Sequence, residues 1–482
     1  METRAPERSV SETAPQLLAA VEKLIGKHRL VESLAHRQAH AEPNGERVEA
    51  LAPRQHLREL AKRLEDTHPA DVAFVLEGLP PEDRLLVWSL VPGQHGEILL
   101  ELSDAVRESL LDVMEPSAIV AATRDLDADE IADLAPNLSD EVVQDILESQ
   151  DLEDRAELQT ALSYEEGTVG ALMDFDVVSI REDVTCEVAL RYLRRYEELP
   201  GQTDAIFVVD REDHLRGVVP LKKLIVTDED VLIGTIMDRE VVSFSADGEA
   251  DEAAESFDRY DLVSAPVVDS SGRVIGRVTV DAVLEYVRER QEAQALGKVG
   301  LREDEDLFAS VWDSAKNRGP WLALNLGTAF FASRVVGAFE GSIEKLAALA
   351  ALMPIVAGIG GNSGNQTTTL IVRSLALGQV TPAGARRLLA RELGVSALNG
   401  VVWGGVLGLV AFLLYRNVAL GGVMALAMLL NLLVAALAGF FIPLTMERFG
   451  RDPAVGSSVF LTFITDSMGF FIFLGLATVF LL

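Results

Sequence analysis

A carboxylate and a run of amides stand where apolar side chains are the rule. Asp466 is the single charged residue of Val455–Leu482. A carboxylate near the middle of a bilayer costs on the order of 3 kcal/mol on insertion scales, so a chain keeps one where it faces water, a partner or a cation. Its alternative use is an inter-helix hydrogen bond, to Asn399 or Thr465. Earlier in the chain, Pro354–Thr369 reads PIVAGIGGNSGNQTTT, with Gly361 and Asn362 followed by Asn365 and Gln366. No strand precedes these glycines and no lysine follows them, which argues against a phosphate loop. They suit either close packing of helix on helix or a loosened helix whose carbonyls and amides line a wet path. Three amides within five positions are hard to place against lipid. That favours the wet path, lined by Gly361, Asn362, Asn365 and Gln366, with Pro354 placed to kink the helix.

Five apolar stretches are expected to carry these groups: Gly319–Phe339, Leu346–Leu377, Leu393–Tyr415, Val418–Ile442 and Val455–Leu482. Each is long enough for a hydrocarbon core of about 30 Å. The expectation is an all-α membrane domain of five helices over 319–482, in contact with lipid. Loop arginines orient it. Arg386, Arg387 and Arg391 in one connection, and Arg448 and Arg451 in another, belong on the cytosolic side, with the C-terminus outside.

The charge sits elsewhere. From Gly319 onward there are 9 Lys+Arg and 6 Asp+Glu, against 42 and 75 in the whole chain, which leaves about −36 on residues 1–318 and +3 on the rest. So acidic a front argues against nucleic acid as a partner, and divalent cations are the natural counter-ions of clustered carboxylates. Cys186 is the lone cysteine, which leaves no disulfide framework and no thiolate zinc site. The opening METRAPERSVSETAPQ lacks the apolar core of a signal peptide. The front is therefore expected in the cytosol and the whole chain in the cytoplasmic (inner) membrane.

Residues 1–54 read as a polar leader. Over 55–164, leucines and valines recur at spacings of three and four. Breaks at Leu79-Pro80-Pro81, Val91-Pro92-Gly93, Glu115-Pro116-Ser117 and Ala135-Pro136-Asn137 interrupt them. Short helices with tight turns read as an α-helical superhelix. Residues 165–230 and 231–290 then repeat one another. Met173-Asp174 precedes Val177-Val178-Ser179, and Met237-Asp238 precedes Val241-Val242-Ser243. A helix follows in each, then FVVDREDHLRGVVPLKKL in the first and PVVDSSGRVIGRVTVDAV in the second. These are α/β units of strand, helix, strand, turn, strand, helix. In 291–318, Glu303, Asp304, Glu305 and Asp306 adjoin Leu307, Phe308, Val311 and Trp312, the pattern of an amphipathic connecting helix at a membrane surface.

The duplicated unit, with VVD-x4-φ-x-G in both halves, resembles a tandem pair of CBS domains. The segments PIVAGIGGNSGNQTTTLIVRSLALG and DPAVGSSVFLTFITDSMGFFIFLGLA, together with the order of parts, resemble the MgtE family of magnesium channels. The resemblance covers nearly everything after about Gln55. It implies a homodimeric, Mg2+-selective channel with its pore on the two-fold axis, lined by the second and fifth spans. Asp466 falls on the family's pore aspartate. The resemblance also implies that the N-domain and CBS pair bind Mg2+ between acidic faces and close the pore when cytosolic Mg2+ is high. Candidate acids are Asp228, Glu229 and Asp230, then Asp251 and Glu252, then Asp281 and Glu285. The helix after the second unit departs from the pattern, with Arg288 and Arg290 where a denser run of acids is expected. CBS pairs accept adenine nucleotides such as ATP, and Val219, Pro220, Ala265 and Pro266 are the candidates to line that cleft.

A Mg2+ channel is the leading reading. A cation-coupled exchanger of Mg2+ or another divalent cation is the alternative, since amide-rich broken helices also build transporters. A membrane-anchored nucleotide-reading regulator is the third, although an intramembrane acid is more than an anchor needs. An enzyme is least favoured: no nucleophile–base constellation is visible, and all 7 histidines precede Gly319.

Overall fold

Prolines in first turns and side-chain caps cut the front of the chain into short helices. Pro69, Pro81 and Pro116 each open a helix, Ser139 accepts from Val142 N, and Asp151 accepts from Glu153 N and Asp154 N. These starts are specified locally. The computed structural model describes residues 13–39, 52–91, 93–196, 199–301, 306–376 and 382–482. It forms two units, Met1–Arg290 with Asp306–Ala309, and Gln291–Glu305 with Ser310–Leu482.

In the first unit, α-helices follow one another from Ala14–Ala39 to Leu152–Ala161. The expected leader 1–54 is corrected in part. Leu17, Val21, Leu24 and Ile25 of the Ala14–Ala39 helix are buried in one core with Leu60, Leu64 and Leu76, on the helical spacing of a core-facing stripe. Residues 1–12 and 40–51 lie outside the described residues.

One device recurs along this superhelix. Arg84 Nε donates to Leu76 O at 3.0 Å, Arg107 Nε to Leu99 O at 3.0 Å, and Arg155 Nε to Leu147 O at 2.5 Å. Each arginine reaches back eight residues to the carbonyl end of the preceding helix, whose last carbonyls otherwise lack partners. Arg84 and Arg107 also each bond the carbonyl five residues back, Leu79 O and Leu102 O. Their remaining donors reach acids, Asp306 at 2.8 Å and Asp133 at 3.2 Å respectively. The repeat is about 24 residues long. At the position between 107 and 155 the residue is Ile131, which is buried.

The two α/β repeats fold alike. In the first, β1 (Ser179–Arg181) pairs parallel with β2 (Ala205–Val209), which pairs antiparallel with β3 (Leu215–Pro220). In the second, β4 (Phe244–Ser245), β5 (Ser264–Val268) and β6 (Val274–Thr279) do the same. The glycine of each signature has a steric reason. A Cβ on Gly217 would lie 2.8 Å from Asp238 O, and one on Gly276 would lie 2.9 Å from Asp174 O. The Met-Asp segments are thus exchanged: Met237-Asp238 docks on the first sheet and Met173-Asp174 on the second. The two repeats, 165–230 and 231–290, therefore interlock through their opening segments.

The second unit holds long helices at Val311–Gly337, Ala348–Ala376, Pro382–Tyr415, Val418–Arg448 and Ser457–Leu481. Among the described residues, three are long and apolar enough to cross a membrane: Gly384–Tyr415, Val418–Arg448 and Ser457–Leu481. The expectation of five spans is corrected to these three. The Val311–Gly337 helix starts with Asp313, Lys316 and Arg318 and carries Arg334, and the Ala348–Ala376 helix is diluted by its glycines, amides and threonines. The separate connecting helix expected over 291–318 is corrected too. Gln291–Gly297 continues the Val280–Gly297 helix, and Val311–Arg318 opens the next long helix. Glu303, Asp304 and Glu305 lie outside the described residues.

Candidate functional site

The Ala348–Ala376 helix packs against Val418–Arg448 and Ser457–Leu481 through its small residues. A Cβ on Gly364 would meet Leu461 Cδ1 at 2.7 Å, one on Gly439 would meet Gly364 O at 2.7 Å, and one on Gly361 would lie 3.7 Å from Thr465 Oγ1. Close packing accounts for one face of the helix, and Gly361, expected to line a wet path, lies on it facing Thr465. Gly360 and Gly364 are packed, whereas Gly358 meets nothing within 4 Å. The outer face repeats at helical spacing as Gly358, Asn362, Asn365, Gln366 and Thr369, all exposed. A polar stripe on a helix laid along two candidate spans is out of place against lipid.

Asp466 follows Thr465, and Asn362 follows Gly361, so carboxylate and amide flank one contact point. Asp466 is half-buried and makes no hydrogen bond or ion pair among the described residues. The alternative of an inter-helix bond finds no support: Thr465 Oγ1 donates to Leu461 O at 3.0 Å and Thr462 O at 3.2 Å, and Asn399 is exposed.

A residue absent from the sequence reading holds this assembly. Asn431, fully buried, donates from Nδ2 to Val356 O at 2.9 Å. It lies between two glycines: a Cβ on Gly469 would be 2.8 Å from Nδ2, and one on Gly360 would collide with it. Three helices meet at this amide. Asn431 Oδ1, Thr368 Oγ1 and Ser467 Oγ are each buried without a hydrogen-bond partner among the described residues, which is unusual for buried polar atoms. Thr367 Oγ1 donates to Glu392 Oε2 at 3.1 Å.

In the first unit the sequence-predicted acids are scattered. Asp228, Glu229 and Asp230 are exposed. Asp251 accepts from Tyr286 Oη at 3.0 Å and pairs with Arg290 at 2.6 Å. Asp281 accepts from Gln202 Nε2 at 2.6 Å. Glu285 lies with Glu289 near Asp133: burial and these like charges push Glu289 up to about 7 and raise Glu285. A larger cluster escaped the sequence reading. Asp127, Asp129, Asp154, Glu157, Asp174 and Asp176 line a cleft of about 230 Å3, with Arg124 at its side. Burial and the neighbouring carboxylates push Asp129 up to about 7 and Asp127 up to about 6. Such acids resist ionising together until a cation joins them. By contrast, Asp210, Glu212 and His214 form a turn rather than a ligand set. Asp210 Oδ1 accepts from Glu212 N and His214 N, and Oδ2 pairs with Arg216 at 2.6 Å.

The nucleotide candidates differ in exposure. Val219, Ala265 and Pro266 are buried, and only Pro220 is half-exposed. The polar groups at that junction are different ones. Ser264 Oγ donates to Asp204 Oδ1 at 2.6 Å, and Arg277 pairs with Asp174 at 2.7 Å while facing Thr203 Oγ1 at 3.4 Å.

Known proteins share this plan. The profile of the divalent cation transporter family MgtE matches residues 353–476, that of the MgtE intracellular N domain 67–167, and that of the CBS domain 169–232 and 233–289. The magnesium transporter MgtE of Thermus thermophilus is 32% identical over 436 residues, 87% of this chain and 94% of its own. The chain belongs to the MgtE family. The MgtE magnesium transporter of Enterococcus faecalis is 30% identical over 68% of this chain and 72% of its own. Among solved structures, the cytosolic domain of the Mg2+ channel MgtE in complex with ATP is 34% identical, covering 48% of this chain and 94% of that one at a TM-score of 0.44. As a member of the MgtE family the chain is a magnesium transporter, built from a helical N-domain, a CBS pair and a helical membrane region. The stretch matched to the transporter profile contains the polar stripe, Asn431 and Asp466.

Proposed function

We propose that the chain is a homodimeric, Mg2+-selective channel of the cytoplasmic membrane, gated by cytosolic Mg2+. The observation that carries this reading is the exposed stripe Asn362, Asn365, Gln366 and Thr369 beside the level of Asp466. Against lipid its amides would lack partners. A second copy brought onto it by a two-fold axis encloses both stripes and both Asp466 carboxylates in one wet passage. Mg2+ sheds water reluctantly and favours octahedral oxygen ligation, so a passage offering carboxylate and amide oxygens to a hydrated ion suits it. Two facing carboxylates repel, and a dication relieves that repulsion.

Orientation follows from the candidate spans. Arg386, Arg387 and Arg391 stand at the head of the first, Arg448 ends the second, and Arg451 lies between the second and third. The arginine bias assigns both to the cytosol, and an odd number of crossings leaves Leu482 outside. The N-domain (55–164 with the helix before it) and the CBS repeats form the cytosolic sensor. Mg2+ entering the Asp127–Asp129–Asp174 cleft, and the Glu285–Glu289 pair, neutralises acids that otherwise hold those surfaces apart, which is a sound electrostatic switch. Asp228, Asp230, Asp251 and Asp281 serve as secondary sites at most. The duplicated CBS fold supports an adenine nucleotide at the junction of Thr203, Asp204 and Ser264.

The test is Mg2+ flux into liposomes at fixed voltage with no other cation gradient, wild type beside Asp466→Asn. Wild-type flux that collapses in the variant is expected. Wild-type flux that needs a Na+ or H+ gradient would move the reading to coupled exchange. Equal flux in both proteins would return Asp466 to packing.

A further inference from the structure

The two most C-terminal helices enclose an apolar groove that the transport path leaves unused. Val434, Leu437, Phe441 and Thr445 form one wall, and Phe460 and Ile464 the other, around a volume of about 480 Å3. Phe441 and Phe460 are about half exposed. At 100° per residue, Ile464 lies about 160° around its helix from Asp466 and Phe460 about 120° from it. The groove therefore faces away from the carboxylate.

Its length and its end identify an occupant. From Val434 to Met446 the groove runs about 18 Å along the helix, close to one leaflet of a hydrocarbon core of about 30 Å. That is short for a crossing helix and fits a chain that stops at mid-membrane. The stripe 434, 437, 441, 445 continues in register to Arg448, which is exposed and makes no ion pair among the described residues. Arg451 follows in the connection. Glu447 lies off the stripe, about 120° around the helix from Phe441. The groove is thus apolar along one leaflet and cationic at the interface, on the side where Arg386, Arg387 and Arg391 also lie.

We propose that this groove is a binding site for an anionic phospholipid of the cytosolic leaflet, with an acyl chain between Phe441 and Phe460 and its phosphate on Arg448. One arginine near an anionic headgroup contributes about fivefold in affinity. The full-length protein, purified and equilibrated with equal amounts of phosphatidylglycerol and phosphatidylcholine, is examined by native mass spectrometry. The wild type retains phosphatidylglycerol over phosphatidylcholine. Arg448→Gln lowers that ratio about fivefold, and Arg448→Lys keeps most of it. Leu437→Trp, which fills the groove, removes retained lipid of both kinds. An unchanged ratio in Arg448→Gln overturns the headgroup assignment, and it is informative because the residue is exposed and its loss leaves the packing intact. Undiminished lipid in a Leu437→Trp protein that elutes as the wild type does overturns the groove. Efficient intermolecular crosslinking of Leu437→Cys also overturns the proposal, because a second copy would then cover it.

Discussion

Asn431 and Gly360 share one volume, and that makes their substitutions interdependent. A methyl at Gly360 would collide with Asn431 Nδ2, so Gly360→Ala forces the amide off Val356 O. Overpacking costs about 1–3 kcal/mol, and a hydrogen bond between membrane helices averages about 0.6 kcal/mol. Gly360→Ala alone should therefore cost about 2–3 kcal/mol. Asn431→Ala loses the same bond and leaves a void, but it also removes the unpartnered Oδ1, whose burial costs about 1–3 kcal/mol. Its net cost should be about 1 kcal/mol. In the double variant the methyl introduced at position 360 enters the space the amide has left, so the overpacking vanishes and the total falls to about 1–2 kcal/mol. The pair should be less than additive by about 2 kcal/mol. For a unit of this size that is roughly 4–8 °C of apparent Tm, read from thermal unfolding of the four detergent-solubilised proteins by size-exclusion chromatography. Losses that add to within about 0.5 kcal/mol would refute the shared volume, and with it the account of how three helices meet at Asn431.

Two further outcomes follow from the same geometry and from the acid cleft. Gly439→Ala places a methyl 2.7 Å from Gly364 O and 3.0 Å from Thr367 Cβ. Backbone there cannot yield cheaply, so apparent Tm should fall by several degrees. Gly358→Ala, with nothing within 4 Å, should leave Tm unchanged, and equal effects would deny that the two glycines do different jobs. In the cleft, Asp129 titrates near 7 and Asp127 near 6, both raised by burial and like charge. The folded chain therefore binds more protons than the unfolded one between about pH 4 and 7, and in Mg2+-free buffer its stability rises as pH falls through that window. Mg2+ must displace those protons, so calorimetry of the full-length protein in buffers of different ionisation heat should show proton release at about pH 6 and little at about pH 8.5. Release that does not change with pH would remove these acids from the binding reaction.

Legibility varied with how local the cause was. The VVD-x4-φ-x-G hairpins were readable because one steric demand, backbone close to Gly217 and Gly276, is written twice in the chain. The amides at 362, 365 and 366 were readable because polar groups in an apolar run are costly wherever they point. Asn431 is costly for the same reason, but a single amide within VMALAMLLNLLVAALAG is diluted below notice; the test that singled out Asp466 would have found it. The exchange of the Met-Asp segments could not be read, since two near-identical repeats satisfy the same pattern paired either way. The span count failed at the Ala348–Ala376 helix, where glycines, amides and threonines lower the hydropathy of an otherwise apolar run. The acid cleft was hidden because its carboxylates come from three separated segments, around Asp127, Asp154 and Asp174, and only tertiary packing adds their charges together.

The repeat explains why the acids gather where they do. In the superhelix, an arginine eight residues beyond a helix end satisfies its carbonyls and carries a positive charge inward, as Arg107 does for Leu99 O and Asp133. At the equivalent position in the third repeat stands Ile131, buried and neutral, while Asp125, Asp127, Asp129 and Glu130 crowd the same turn. The capping box of Asp127 and Glu130 serves the N-terminus of the Ala128–Leu134 helix, and its carboxylates, being acceptors, do not replace the guanidinium as a donor to the carbonyls of the preceding helix. What is lost is one internal counter-charge; Arg277 still pairs with Asp174 at 2.7 Å, while Asp127 and Asp129 have no such partner among the described residues. A protein that supplied its own cation at 131 would have a cleft stable at any Mg2+ concentration. One that omits it has a cleft whose closure depends on a cation from the cytosol, and under the proposed gating that dependence is the signal.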